Sequence, residues 1–317
     1  EIQTTVYYSN FSVWQIMMYP DNWPNNHILN TILTKGFILI FGANQWVVRT
    51  PNVLSFLLYA FAIFRINKIV LKKDSLFFIP AAILFIANPY LLDFFGLCRG
   101  YGISCALCTL SISYLISGYK YLNNKNIWLA FGLSILASYA NFTLLVFWVA
   151  TTMLTWFYFV GLFRIKREQL LKPTLIIFIS SILYLLLIAT PIYKMQSSDQ
   201  FQYWNSPGFY SATILSLVDL ALYGTRRGFH GITDTIAILS IIILIINCIY
   251  IFIKGKKSKF EIQNICRPVF IATTIIILTA GINYLQCKIL NTPNLTGRTA
   301  LFFYPMFIIA FVTTLGL

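Results

Sequence analysis

The sequence predicts an all-α, polytopic bundle of membrane-spanning helices, and three observations carry that reading. Of 317 residues, 58% are hydrophobic and only 10% charged, against about 45–50% and about 25% in soluble domains. A compact soluble protein of 36.4 kDa exposes roughly 13,000 Å² by the usual mass scaling. The 23 basic and 9 acidic side chains are too few to keep such a surface wet. The mean hydropathy of +0.76 points the same way, so a soluble domain is excluded.

A span needs about 20 mainly apolar residues, or about 17 at the short end, with polar or turn-forming breaks. Nine segments qualify: 47–66, 75–92, 100–118, 126–141, 142–163, 173–194, 235–253, 268–286 and 300–317. The fourth and fifth share one apolar stretch that must fold back near Asn141. Residues 28–41 (ILNTILTKGFILIF) have helical apolar spacing but are too short for a normal span, and read as an interfacial or re-entrant helix. Residues 1–46 are thus a first outer loop with its interfacial helix, and 47–317 a transmembrane bundle with an outer loop at 195–234. The chain begins at Glu1 without a methionine and ends inside an apolar run at Leu317. It reads as a fragment that lacks its first transmembrane helix and a C-terminal part.

Charge sets the orientation. Loops of one parity hold Arg65, Lys68, Lys72 and Lys73, then Lys120 and Lys125, then Arg164, Lys166, Arg167 and Lys172, then Lys254, Lys256, Lys257, Lys259 and Arg267. The opposite parity holds Lys35, Arg49, Arg99, Lys194, Arg226, Arg227, Lys288 and Arg298. The first, larger set is cytoplasmic by the positive-inside rule. The net charge of +14 is then an orientation signal and not a nucleic-acid footprint. The expected location is a membrane, with the working face outward.

The six cysteines lie in or beside apolar runs, and Cys105 to Cys108 is a lone CxxC there. They read as core packing, because a metal site needs further ligands at matching spacing. No P-loop, HExxH, GxSxG or DxD motif is present, which leaves P-loop ATPase, zinc-protease and soluble nucleotide-sugar chemistry without support.

Polar groups at a membrane are costly, so those that orientation does not explain are candidates for function. Asp93 and Arg99 flank the short break DFFGLCRGYG between two apolar spans. They form either an ion pair between helix ends or a carboxylate and a guanidinium facing one outer cleft. An arginine fork suits phosphate oxygens, and Arg298 in NTPNLTGRTALFFYP is placed similarly. The first loop carries YPDNWPNNHILNTIL, with Asp21, Asn25, Asn26 and His27. Its amides and imidazole can bind hydroxyls or a phosphate, and its carboxylate can act as a base. Arg226, Arg227 and His230 read as an interfacial basic patch able to meet anionic lipid headgroups.

In order, PNNHILNTIL, Phe41-Gly42, RTPNVLSFLLY from Arg49, NPYLLDFFGLCRGYG and GRTALFFYP resemble the bacterial membrane glycosyltransferases of the GT-C superfamily, related to dolichyl-phosphate-mannose protein mannosyltransferases. The motif wording lies within 20–66, 88–103 and 293–305. The resemblance implies a polytopic enzyme that moves a sugar from a polyprenyl-phosphate donor to an acceptor on the non-cytoplasmic face. It also implies an Asp-Glu pair early in the first outer loop. Glu1 stands where the Glu of that pair is expected, and its Asp partner would precede the sequence. Glu1, Asp21 and Asp93 are the candidates for catalysis, Arg99, Arg298 and His27 for donor phosphate, and Asn25 and Asn26 for substrate. The implied partners are the donor, a glycan, lipid or protein acceptor and membrane lipids, with no nucleic acid. A divalent metal is compatible with carboxylate and His ligands, but nothing in the sequence requires one. Two competing classes are a transporter or flippase of lipid-linked saccharide, for which mid-membrane charges and repeated halves are expected, and a noncatalytic membrane subunit.

Overall fold

A computed structural model of the chain describes residues 3–23, 25–71, 75–162, 167–197, 208–222, 230–257 and 267–317. Its helices are α1 (Val13–Met17), α2 (Ile28–Phe41), α3 (Gln45–Val70), α4 (Phe78–Ile86), α5 (Pro89–Gly96), α6 (Gly100–Tyr121), α7 (Asn124–Ala140), α8 (Leu145–Leu162), α9 (Leu171–Gln196), α10 (Ser216–Ala221), α11 (His230–Lys257), α12 (Pro268–Leu290) and α13 (Phe303–Leu315). Among the described residues there is no strand.

Six helices, α3, α6, α8, α9, α11 and α12, are long and apolar enough to cross a membrane, or seven spans if the bent pair α4 and α5 is counted as one. This points to an integral membrane protein, and six or seven of the nine expected spans meet that length among the described residues. The segment at 126–141 forms a 17-residue helix, and the last segment is helical over only 13 residues. In the latter, Gly297 sits at φ +53° and a 3-10 turn occupies Gly297–Ala300, so the α-helix starts late. The segment at 75–92 is bent by 64°. There Asn88 caps the Leu91 N–H at 3.1 Å and Pro89 opens α5. Proline lacks an N–H and disfavours a helical residue before it, so one helix ends and a second begins.

The fold is organised around α6, whose apolar window is 94% buried. Small residues let its neighbours approach closely, as is common between membrane helices. Ser111 donates to the Ala130 carbonyl of α7 at 2.7 Å, and Gly118 lies against Ile127. By contrast α9 and α11 have only 22% and 11% of their apolar windows buried and form the periphery.

The expected fold-back near Asn141 is present. Asn141 leaves the helical region at φ −155°, and its side-chain oxygen accepts from the Thr143 N–H at 3.2 Å. The Tyr158 hydroxyl of α8 then reaches Asn124 at 2.8 Å, and the rings of Trp128 and Phe159 lie 5.0 Å apart. The start of α7 therefore meets the end of α8, so the pair is an antiparallel hairpin.

Side-chain contacts also link the basic segments at one end of the bundle. Lys120 donates to the Ile69 carbonyl at 2.5 Å. Gly316 lies against Val70, while Thr314 donates to Asn247 of α11 at 2.9 Å, two turns before Lys254. The α7–α8 contacts bring in Asn124, beside Lys125. At the opposite end Thr213 donates to the Leu295 carbonyl at 2.7 Å, and the Gly297 N–H to Ser216 at 2.9 Å. Part of the predicted 195–234 loop is therefore helical and folded onto the segment that carries Arg298.

The first loop is a folded cap. Ser12 and Gln15 form a capping box on α1, Lys35 donates to the Ser9 carbonyl at 2.7 Å, and Lys194 to the Tyr19 carbonyl at 2.5 Å. Ile16, Tyr19 and Ile28 pack with Tyr139, Trp148, Tyr184, Ile188 and Met195 in a second apolar core. Behind the cap, α2 turns a polar face inward. Asn30, Thr31 and Thr34 are fully buried. Asn52 donates to Asn30 at 2.6 Å, Asn30 to Cys98 Sγ at 3.8 Å, and Thr34 lies 3.4 Å from the same sulfur. Its outer end is apolar, with Leu39 and Ile40 each 74% exposed.

Candidate functional site

The site is set by where α6 begins. Arg99 precedes its first turn in extended conformation (φ −142°), and Gly100 and Gly102 follow. A Cβ on Gly100 would collide with the Ala140 carbonyl and the His27 side chain, and one on Gly102 would lie 2.6 Å from the Phe94 carbonyl. Only hydrogen atoms fit there, so glycine brings the α7–α8 corner, the cap and α5 against the root of α6.

His27 is half-buried at this junction. Its ring packs edge-on against Tyr101 at 4.9 Å and donates to the Ala140 carbonyl. Burial pushes the imidazole down to about 4; the nearby positive charges of Arg99 and Arg298 act in the same direction, and the hydrogen bond to Ala140 opposes them. His27 is therefore neutral near pH 7, with one nitrogen donating and the other an acceptor. The charges of Arg298 and Arg99 reach Tyr90 and Tyr101 as well, and Asp93 acts on Tyr90. Asp93 is exposed on α5, Arg99 half-buried and Arg298 exposed. Four of the sequence-predicted residues, His27, Asp93, Arg99 and Arg298, are thus brought to one end of the bundle from four separate segments.

The other candidates are placed differently. Asp21 belongs to the cap, where the Tyr8 hydroxyl lies 3.1 Å from both carboxylate oxygens and the Trp23 N–H donates to it at 3.1 Å. Burial, reinforced by that carboxylate, raises the Tyr8 hydroxyl well above the ordinary tyrosine range. Asn26 is buried and its amide is engaged within the protein: it donates to the Ile16 carbonyl at 3.1 Å and accepts from Thr31 at 2.9 Å. Asn25 is exposed in the preceding turn. Glu1, Arg226, Arg227 and the side chain of His230 lie outside the described residues. Among the described residues no group of three His, Cys, Asp or Glu side chains is placed to hold a metal ion.

Several contributors were not singled out from the sequence. Gly100 and Gly102 were visible only as motif letters, and Tyr90 and Tyr101 as ordinary aromatics. A cavity of about 30 Å³ opens between the cap and the α7–α8 corner, lined by Tyr19, Asn26, His27, Tyr139, Asn141 and Met195 among others. It joins residues far apart in sequence, and no local pattern signals it. Tyr19 is held at φ +61°, a left-handed conformation uncommon outside glycine.

No family model, curated protein or solved structure matches this chain.

Proposed function

We propose that the protein is an integral membrane glycosyltransferase, which moves a sugar from a polyprenyl-phosphate donor to an acceptor hydroxyl at the non-cytoplasmic face of a bacterial inner membrane. One observation supports this reading above all: a carboxylate, two guanidiniums and a neutral imidazole gather at the end of the bundle opposite its basic segments. The motif resemblance adds a reaction to that arrangement.

In this reading Arg99 and Arg298 hold the donor phosphate, offering forked donors to oxygens on which charge builds as the group departs. The acceptor oxygen bonds to the anomeric carbon while the bond from that carbon to the phosphate oxygen breaks. The electron pair leaves with the phosphate, and the acceptor proton passes to a carboxylate, for which Asp93 is the best placed of the described candidates. Asp21, paired with Tyr8, serves the cap. Direct displacement inverts the anomeric centre.

The test is a transfer assay on the full-length protein in lipid, with polyprenyl-phosphate sugars as donors. The wild type is expected to transfer and Asp93→Asn to lose transfer while expressing normally. An Asp93→Asn protein with normal turnover would remove Asp93 from the mechanism, and a wild type that only moves the intact lipid-linked saccharide across the membrane would replace the enzyme with a flippase.

A further inference from the structure

At the basic end of the bundle, Arg65 lies inside the apolar helix α3. It precedes the last residue of that helix, Val70, by five positions, or about 7.5 Å at the helical rise. A charge at such a depth in a membrane helix calls for a named partner. Its Nε donates to Ser113 of α6 at 3.3 Å, and its guanidinium carbon sits 4.0 Å from the centre of the Tyr114 ring and 5.7 Å from that of Phe61. A hydroxyl and a ring thereby hold the group in place, but they engage only one of its five N–H donors. The two terminal nitrogens take no hydrogen-bond partner among the described residues, and no described carboxylate pairs with the group. Arg65 is only half-buried, and those nitrogens are not among the unmatched polar atoms sealed inside the protein, so they reach the surface.

The same face of α3 continues above and below this group. Leu57, Phe61, Phe64, Arg65 and Lys68 recur at helical spacing. Leu57 is 64% exposed, Phe61 and Phe64 are each 47% exposed, and Lys68 is exposed one turn nearer the helix end. From the middle of the helix to its end the stripe reads aliphatic, aromatic, guanidinium, ammonium, the order of a phospholipid from its chains to its headgroup. We infer that this stripe binds one anionic phospholipid, with the phosphodiester on the Arg65 fork, the acyl chains along Leu57, Phe61 and Phe64, and the rest of the headgroup beside Lys68. A planar fork matches phosphate oxygens in pairs, and cations beside a membrane helix attract anionic lipid. A zwitterionic lipid would bring its own cation against Lys68, whereas a soluble anion would gain the fork but leave the apolar stripe uncovered. The site lies at the end of the bundle opposite His27 and Arg298, so this lipid is a bound companion of the fold and not the sugar donor.

The experiment is a lipid titration of the full-length protein in mild detergent, read by native mass spectrometry. The probes are dioleoyl phosphatidylglycerol, dioleoyl phosphatidylcholine and glycerophosphate, the last a headgroup without chains. Wild type is expected to retain phosphatidylglycerol several-fold more tightly than phosphatidylcholine and to leave glycerophosphate unbound. Arg65→Gln, which removes the charge, and Arg65→Lys, which keeps the charge but loses the fork, are each expected to lose that preference several-fold. Lys125→Gln removes an equal charge from the exposed start of α7 at the same end and is expected to bind as wild type does. Phe61→Ala is expected to weaken retention without altering charge, and supplies an independent variant if those at Arg65 fail to fold, as checked by thermal melting without added lipid. Equal retention of the two lipids, or full retention by folded variants at Arg65 or Phe61, overturns the site. Equal loss in Lys125→Gln and Arg65→Gln replaces it with a diffuse basic surface, and glycerophosphate held as tightly as the lipid replaces it with a plain anion site.

Discussion

At the scale of single residues, two glycines and one histidine hold the junction together. Gly100→Ala places a methyl group against the Ala140 carbonyl and the His27 side chain. Overpacking of this kind costs about 1–3 kcal/mol, so the variant is expected to melt earlier than wild type in a thermal unfolding scan, with Gly36→Ala, which meets open space, as the comparison. His27 makes a pH prediction. Its imidazole titrates near 4 in the fold and near about 6.5 when unfolded, so the unfolded chain takes the proton first. The His27 contribution is full above about pH 6.5, falls as pH drops toward 4, and levels off below that, with a span of up to about 3 kcal/mol. Stability measured against pH should lose this part of its slope in His27→Gln. Removing the Arg298 guanidinium should weaken donor binding more than acceptor binding; unchanged donor affinity in Arg298→Ala counts against its role. The sequence displayed Asp93, Arg99, Arg298 and His27 because charge is conspicuous in apolar text. It hid Gly100, Tyr139 and Met195, whose importance comes from contacts between segments that hydropathy does not encode.

At the scale of helices, breaks were more legible than lengths. Asn141 announced the α7–α8 corner because an amide can cap a new helix start. The late start of α13 was not legible, since Leu301 and Phe302 continue the apolar run although the backbone there is still in a turn. The α2–α3 pair yields a further prediction. Asn52→Ala leaves the Asn30 side-chain oxygen buried without its 2.6 Å donor, a loss of about 1–3 kcal/mol. The expected sign is earlier proteolysis within 28–44 under conditions where the remaining helices stay protected. Equal protection of both regions would show that α2 is held by its other contacts.

At the scale of the whole molecule, the pattern of cations and the pattern of contacts agree. Lys120, Lys125 and Lys254 were grouped by loop parity, and hydrogen bonds and close packing link their surroundings at one end. Reporter fusions in a bacterial host are expected to place 122 and 258 in the cytoplasm and 141 and 291 outside. Fusions at 122 and 141 reporting the same side would break the hairpin reading and the orientation with it.

The inward polar face of α2 has a consequence for assembly. A membrane segment is first selected for its own hydrophobicity and only afterwards packed against neighbours. Only 14 residues long, and with Asn30, Thr31 and Thr34 buried against the other helices, α2 lacks the length to insert on its own merits and has no partner for Asn30 until the α3 residue Asn52 is in place. It must therefore dock late, onto helices synthesised after it. The end of the bundle that gathers His27 and Arg99 is then completed only when the chain turns back on itself, which makes the arrival of α2 a natural checkpoint between an inserted protein and a finished one.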